Sequence, residues 1–238
     1  MAPSQLTLGC DPELVCRLNG KFTSASEYFR PSSSMGLDGN DSIAEIRPGL
    51  SESPIDLTAK IKTVLEYGNE KHPELEFFSG HYVDGYPIGG HIHIGVKPTD
   101  ELIDSLDTVL YSFSDCIDDK EQRHNRETSG YGNRKSHSTK YYGFEYRTPG
   151  SWLLSPSTAL VTLTLAKLTT IGVLEDHIDF VDLKADQDPC HFLKNYKDYL
   201  VTIPPDCEEG LTELGFLLNM NIDWNQNILP NWGLEVAA

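Results

Sequence analysis

Apolar residues recur at helical spacing in three places along the chain. Leu57, Ile61, Val64 and Leu65 lie three or four apart behind Ser53-Pro54, and His72-Pro73 closes the run. A serine can cap the free N–H groups of a helix start, and a proline at the first helical position loses no hydrogen bond. Leu102, Leu106, Val109, Leu110, Phe113 and Ile117 line one side of a second predicted helix. It opens at Thr99-Asp100-Glu101, with acids where the helix dipole is positive. A third runs from Ser155-Pro156 through Leu160, Leu163 and Ala166 to about Gly172. Beyond residue 175 the pattern changes. An acidic stretch, Glu175–Asp188, precedes a helix expected at Pro189 with Phe192, Leu193 and Tyr196; another is expected over 208–220, then a docked tail with Trp224 and Trp232.

Between these helices the alternation has period two, which places residues two apart on one face of a strand. Four segments use it alike. Asp11 and Glu13 share a face in Gly9–Val15, Glu45 and Arg47 in Ile43–Pro48, His91 and His93 in Gly89–Gly95, and Glu145 and Arg147 in Gly143–Pro149. The opposite face carries Cys10 and Leu14, Ile46, Ile92 and Ile94, and Phe144 and Tyr146 in turn. Any one segment is what a half-exposed sheet produces without function. All four together are not, because solvated faces are mostly Lys, Thr, Ser and Gln, whereas these are carboxylates, imidazoles and arginines beside glycines. Several carboxylates suit hard cations such as magnesium, and arginine forks suit carboxylate or phosphate oxygens.

Composition narrows the picture. The chain has 238 residues, 39% hydrophobic and 23% charged, enough apolar material for one substantial core. A net charge of −17 argues against nucleic acid as a partner. Nothing approaches the roughly 20 uninterrupted apolar residues of a membrane span, and the N-terminus resembles no signal peptide, so a cytoplasmic protein is expected. Five scattered cysteines (10, 16, 116, 190, 207) form no C-x-x-C pair and are expected as reduced, buried thiols.

Positive charge concentrates in one segment, read as a loop. Lys120, Arg123, Arg126, Arg134, Lys135, Lys140 and Arg147 are seven of the chain's 19 basic residues, interleaved with Ser129-Gly130-Tyr131-Gly132-Asn133. Arg134 is the strongest candidate there, since Tyr-Gly-Asn-Arg leads toward the Glu145 strand. No Walker-type loop or dinucleotide fingerprint is present.

Five motifs occur in order: G-x-D-P-E, D-G-N-(x)4-E-I-R-P, G-G-H-I-H-I-G, Y-G-N-R and Y-G-F-E-Y-R-T-P-G-S-W-L. Over about residues 8–175 this set resembles the phage-type amidoligases, a family grouped with glutamine synthetase and γ-glutamylcysteine synthetase. The resemblance implies an α+β fold: a mostly antiparallel catalytic sheet with a polar concave face, backed by helices, as in the catalytic domain of glutamine synthetase. It implies one catalytic domain over residues 1–238, with the motifs in 8–175 and a helical extension and tail in 176–238. It implies ATP and two or three Mg2+ ions. Residue by residue it implies Asp11, Glu13, Glu45, His91, His93 and Glu145 as metal ligands, and Arg134 and Arg147 against phosphate, with Lys140 of the basic segment a further nucleotide-binding candidate. Asp38 pairs with Glu45 as a second acidic set and is the candidate base toward the attacking amine. Asp11 stands where the synthetases commonly carry Glu, which shortens its reach. Tyr131, Ser151 and Trp152 are candidates for the substrate pocket, with core packing the better reading for Trp152.

The implied activity is ligation of a carboxylate to an amine through an acyl phosphate, on small-molecule or peptide substrates, with homo-oligomerisation open. A zinc hydrolase using His91 and His93, or a non-catalytic ligand-binding protein, are the rival readings.

Overall fold

The computed structural model describes residues 6–176 and 188–235. The chain opens with β1 (Leu8–Cys10), β2 (Glu13–Leu18), β3 (Lys21–Thr23), β4 (Met35–Leu37), β5 (Ala44–Ile46) and β6 (Leu50–Ser51). Helix α1 (Pro54–Lys71) leads to β7 (Leu75–Phe78), the small hairpin β8 (Tyr82–Val83) and β9 (Tyr86–Pro87), and β10 (Ile92–Ile94). Then follow α2 (Asp100–Ile117), α3 (Lys120–Thr128), β11 (His137–Lys140), β12 (Gly143–Tyr146), α4 (Pro156–Leu174), α5 (Pro189–Lys194) and α6 (Glu208–Leu217). The fold is α+β with antiparallel sheets, as expected.

Two five-stranded sheets carry the polar motifs. One runs β11-β12-β10-β1-β6; the other runs β3-β2-β5-β4, with β7 also paired to β2. The first segment is not the single strand its alternation suggests. Pro12 has no N–H to donate, and the chain leaves one sheet at Cys10 and enters the other at Glu13. Bridging bonds persist across the break, from Asp11 N to His91 O at 3.3 Å and from Glu13 N to Gly89 O at 2.9 Å. Asp11 and Glu13 therefore sit where the two sheets meet.

The helix signals hold at their starts. Ser53 accepts from Asp56 N, Thr99 from Leu102 N, and Ser155 and Thr158 form a reciprocal capping box. Apolar sheet faces pack on these helices: Leu8, Ile92, Ile94, Phe144 and Tyr146 are all buried in one core with α1, α2 and α4. Helix α4 is long and apolar enough to cross a membrane, but 83% of its apolar window is buried among α1, α2 and α6. A core helix surrounded by protein has the same composition.

Two further expectations are corrected. The basic segment is not a loop throughout: it holds α3 and β11. Helix α3 (KEQRHNRET) has no apolar stripe to reveal it; Asp119 caps it, and its buried face is Gln122 and Arg126. The thiols are not all reduced, since Cys116 and Cys190 form a disulfide joining α2 to α5, while Cys10, Cys16 and Cys207 are free and buried. No spacing rule links cysteines 74 residues apart. Most of the acidic stretch, at 177–187, lies outside the described residues.

The tail is pinned to the body by indole hydrogen bonds: Trp224 Nε1 donates to Ile117 O and Trp232 Nε1 to Leu153 O, both at 2.8 Å. Trp232 is 2% exposed. Replacing a buried tryptophan with alanine typically removes about 3–5 kcal/mol of stability. Trp232→Ala is therefore expected to lower the unfolding free energy by about that amount. Equilibrium denaturant unfolding checks it.

Candidate functional site

The antiparallel register brings the motifs together. His93 is opposite Glu145 on one side and Gly9 on the other, and Glu13 is opposite Glu45. His91, one residue before β10, places its Nδ1 3.3 Å from Glu145 Oε1 and 3.6 Å from Asp11 Oδ1. His93 Nε2 lies 3.1 Å from Asp11 Oδ2. Gly89 permits this packing, because a Cβ there would come within 2.3 Å of His91 Nε2. Glu45 lies 2.7 Å from Arg47 Nε, and the rest of the Arg47 guanidinium donates to the carbonyls of Pro31, Ser33 and Leu37. Arg47 thus braces the β4–β5 hairpin. Asp38, half-buried, leaves β4 within electrostatic reach of Glu13 and Glu45.

Tyr131 sets the outer ring of contacts. Its hydroxyl donates to Glu13 Oε1 at 2.8 Å and stands 3.2 Å from His91 Nε2, while Gly89 N donates to Glu13 Oε2 at 2.7 Å. A phenol has one proton. With that proton given to Glu13, its oxygen can accept from His91 Nε2–H; were a cation bound between Asp11 and Glu145, Nδ1 would then be free to ligate it. Metal-ligating histidines are oriented by such a second hydrogen bond.

The electrostatics show too little fixed positive charge for the carboxylates present. Burial pushes Glu45 up to about 8, helped by Asp11, Asp38 and Glu13 and opposed by Arg47. Burial also raises Glu13, against the pull of His91. Burial opposes ionisation of Asp11 too, yet the adjacent imidazoles of His91 and His93 win and hold it well below the carboxylate range. Tyr131 is pushed far up by burial and Glu13, so it stays a donor.

These residues fit a divalent cation. One ligand atom each from Asp11, His91 and Glu145 lie within 4.8 Å of one another. Asp11 Oδ1 is buried without a hydrogen-bond partner, while His93 Nε2 has the other Asp11 oxygen beside it at 3.1 Å. A buried carboxylate oxygen left unbonded among other ligand atoms is what a cation would satisfy, and two carboxylates to one imidazole suit a hard ion.

The expected cations divide. Lys140 Nζ reaches Glu145 Oε2 at 2.7 Å, and Arg147 Nε reaches Glu145 Oε1 at 3.1 Å. Arg134 is placed apart: its guanidinium lies 3.9 Å over the Tyr111 ring on α2. Trp152 is buried and donates to Gly90 O at 2.9 Å, bracing the backbone next to His91, whereas Ser151 is buried in a bridge to Gly80. Sequence reading gave Tyr131 only a pocket-lining part and gave Asp107 none. Asp107, buried on α2, accepts from Tyr146, Thr148 and Lys135 N and holds β12 in place. An acid at a helix position next to an apolar stripe gave no signal of that.

A family model described as Phage phiEco32-like COOH.NH2 ligase-type 2 matches residues 8–213. The chain belongs to this family. The match runs beyond the motif-bearing core, through α5 and into α6. No curated protein matches the chain.

The raised Glu45 makes a prediction for the metal-free ligase. A carboxyl whose folded pKa exceeds its unfolded value favours folding while protonated, and that contribution is lost as pH rises from about 4.3 through about 8. Glu45→Gln, which cannot ionise, is expected to melt several degrees above wild type at pH 9 and level with it near pH 4. Saturating Mg2+ should reverse the order at pH 9. Thermal melts with and without cation check it.

Proposed function

We propose that this ligase joins a carboxylate to an amine at the expense of ATP, through an acyl phosphate. The observation that carries it is the Asp11–His91–Glu145 convergence with Lys140 and Arg147 on the same carboxylate, in a chain of the COOH–NH2 ligase family. Divalent cations held by these carboxylates would neutralise the nucleotide phosphates and draw charge from the group in transfer.

The chain's own residues then have distinct parts. Asp11, His91 and Glu145 would hold one cation, and Glu13 and Glu45, facing each other across β2 and β5, a further one, with His93 beside Asp11. Lys140 and Arg147, next to Glu145, would then be available to phosphate oxygens, where an arginine fork binds two at once. Arg134 takes part in the same way only by leaving Tyr111. The γ-phosphoryl group passes to the substrate carboxylate, releasing ADP, and the amine displaces phosphate from the acyl carbon. The amine sheds a proton as it attacks, and Asp38 at the rim of the acidic set accepts it. The carboxylate and amine are small molecules or peptides, and a cytoplasmic setting supplies ATP and Mg2+.

A phosphate-release screen with Mg2+ and ATP over pooled amino acids, polyamines and peptidoglycan fragments tests the reaction. A product lighter by one water than the summed substrates is expected; no release with any pair would overturn it. Within an active pair, Glu145→Ala should lose turnover by at least about 100-fold while remaining folded. Arg147→Ala should lose more than Arg134→Ala. Near-normal turnover in Glu145→Ala would remove the central assignment.

A further inference from the structure

The most deeply buried cation in the described structure lies behind the carboxylate cluster. Arg126, on α3, is 1% exposed. Its guanidinium takes backbone carbonyls in place of a carboxylate: Thr148 O at 2.7 Å, Pro149 O at 2.8 Å and Arg147 O at 3.4 Å. It also lies 5.0 Å over the ring of Tyr131. Its Nε is buried without a hydrogen-bond partner, beside a cavity of about 10 Å3 shared with Tyr111, Arg123, Gly132 and Thr148. Gly132 is shaped around it, since a Cβ there would come within 2.0 Å of the guanidinium.

Burying a charge with no carboxylate at ion-pair distance, only the fields of Glu13, Asp118 and Glu127, is costly, and an apolar or amide side chain would fill the same space with less penalty. Scaffolding alone does not call for arginine here. Its two planar edges do what no other side chain can: one grips three successive carbonyls as β12 runs on past Arg147, and one face supports the Tyr131 ring. Both lead into the cluster, since Arg147 pairs with Glu145 and Tyr131 bonds Glu13 and His91.

We propose that Arg126 is a positioning residue for the cation site: it fixes Tyr131 so that the phenol holds Glu13 and keeps His91 Nδ1 turned to Asp11 and Glu145. This rests on the cation-binding role given to that cluster above. The chain of contacts runs from Arg126 through Tyr131 to two residues that would hold cations, and the 147–149 backbone it clamps is continuous with the strand bearing Glu145.

The test uses the full-length chain labelled with 13C-tyrosine, Arg126→Ala beside wild type, and Tyr131→Phe to assign the Tyr131 ring signal. Removing a residue that orients metal ligands commonly lowers affinity about 10–100-fold. A folded Arg126→Ala protein is expected to show that loss for Mn2+ and a displaced Tyr131 signal in the metal-free state. Free guanidinium, at concentrations far below those that unfold proteins, should restore both by occupying the vacated space, whereas methylammonium should not. Should the alanine variant fail to fold, Arg126→Lys keeps the charge without the fork and should show the same two losses. A folded variant with wild-type Mn2+ affinity and an unmoved Tyr131 signal overturns the proposal. Absence of Mn2+ binding in wild type would sink the cation site instead, and the Tyr131 signal would still judge Arg126.

Discussion

Everything at this site follows from carboxylates held closer together than their charges favour. Asp11, Glu13, Asp38, Glu45 and Glu145 converge where two antiparallel sheets meet, and the imidazoles, Lys140, Arg47 and Arg147 offset only part of the repulsion. The fold tolerates this because the other face of each strand is buried. Leu8, Ile92, Ile94, Phe144 and Tyr146 anchor the strands on the helices, and that apolar burial outweighs the local electrostatic penalty. A site kept in unfavourable charge balance would gain from a bound cation, and the proposed ligase chemistry would draw on that gain.

Rigidity is what turns crowding into a defined geometry. Pro12 ends one strand and hands the chain to the second sheet, so Asp11 and Glu13 are held by different ladders yet remain near His91. Trp152 braces Gly90, Asp107 braces β12, and Tyr131 braces Glu13 and His91. Contacts among the cluster's own side chains are therefore backed by partners outside it. Such support is the usual requirement for ligands that must stay in place against mutual repulsion.

Much of this was legible in the sequence where local chemistry is strong. Ser53-Pro54, Thr99 and Ser155-Pro156 mark helix starts because capping is decided within a few residues. The alternation around His91, His93 and Glu145 disclosed a shared polar face because strand geometry forces it. Tertiary interactions had no such signature. Helix α3 is polar throughout and buries an arginine, so period-seeking passed over it. Asp107 lies in an otherwise ordinary amphipathic helix, and the Cys116–Cys190 pair depends on how α5 folds back onto α2. Arg134 was placed by its motif beside Glu145, but stacking on Tyr111 draws it toward α2. Chain proximity to a catalytic strand does not fix where a long flexible side chain rests.

The most direct measurement of the central claim is anomalous diffraction from crystals grown with Mn2+ and a non-hydrolysable ATP analogue. A manganese peak bounded by Asp11, His91 and Glu145, with the analogue's phosphates beside Lys140 and Arg147, is the expected result. Manganese and phosphates located away from these carboxylates, with Asp11 Oδ1 and His91 Nδ1 facing only protein, would contradict it.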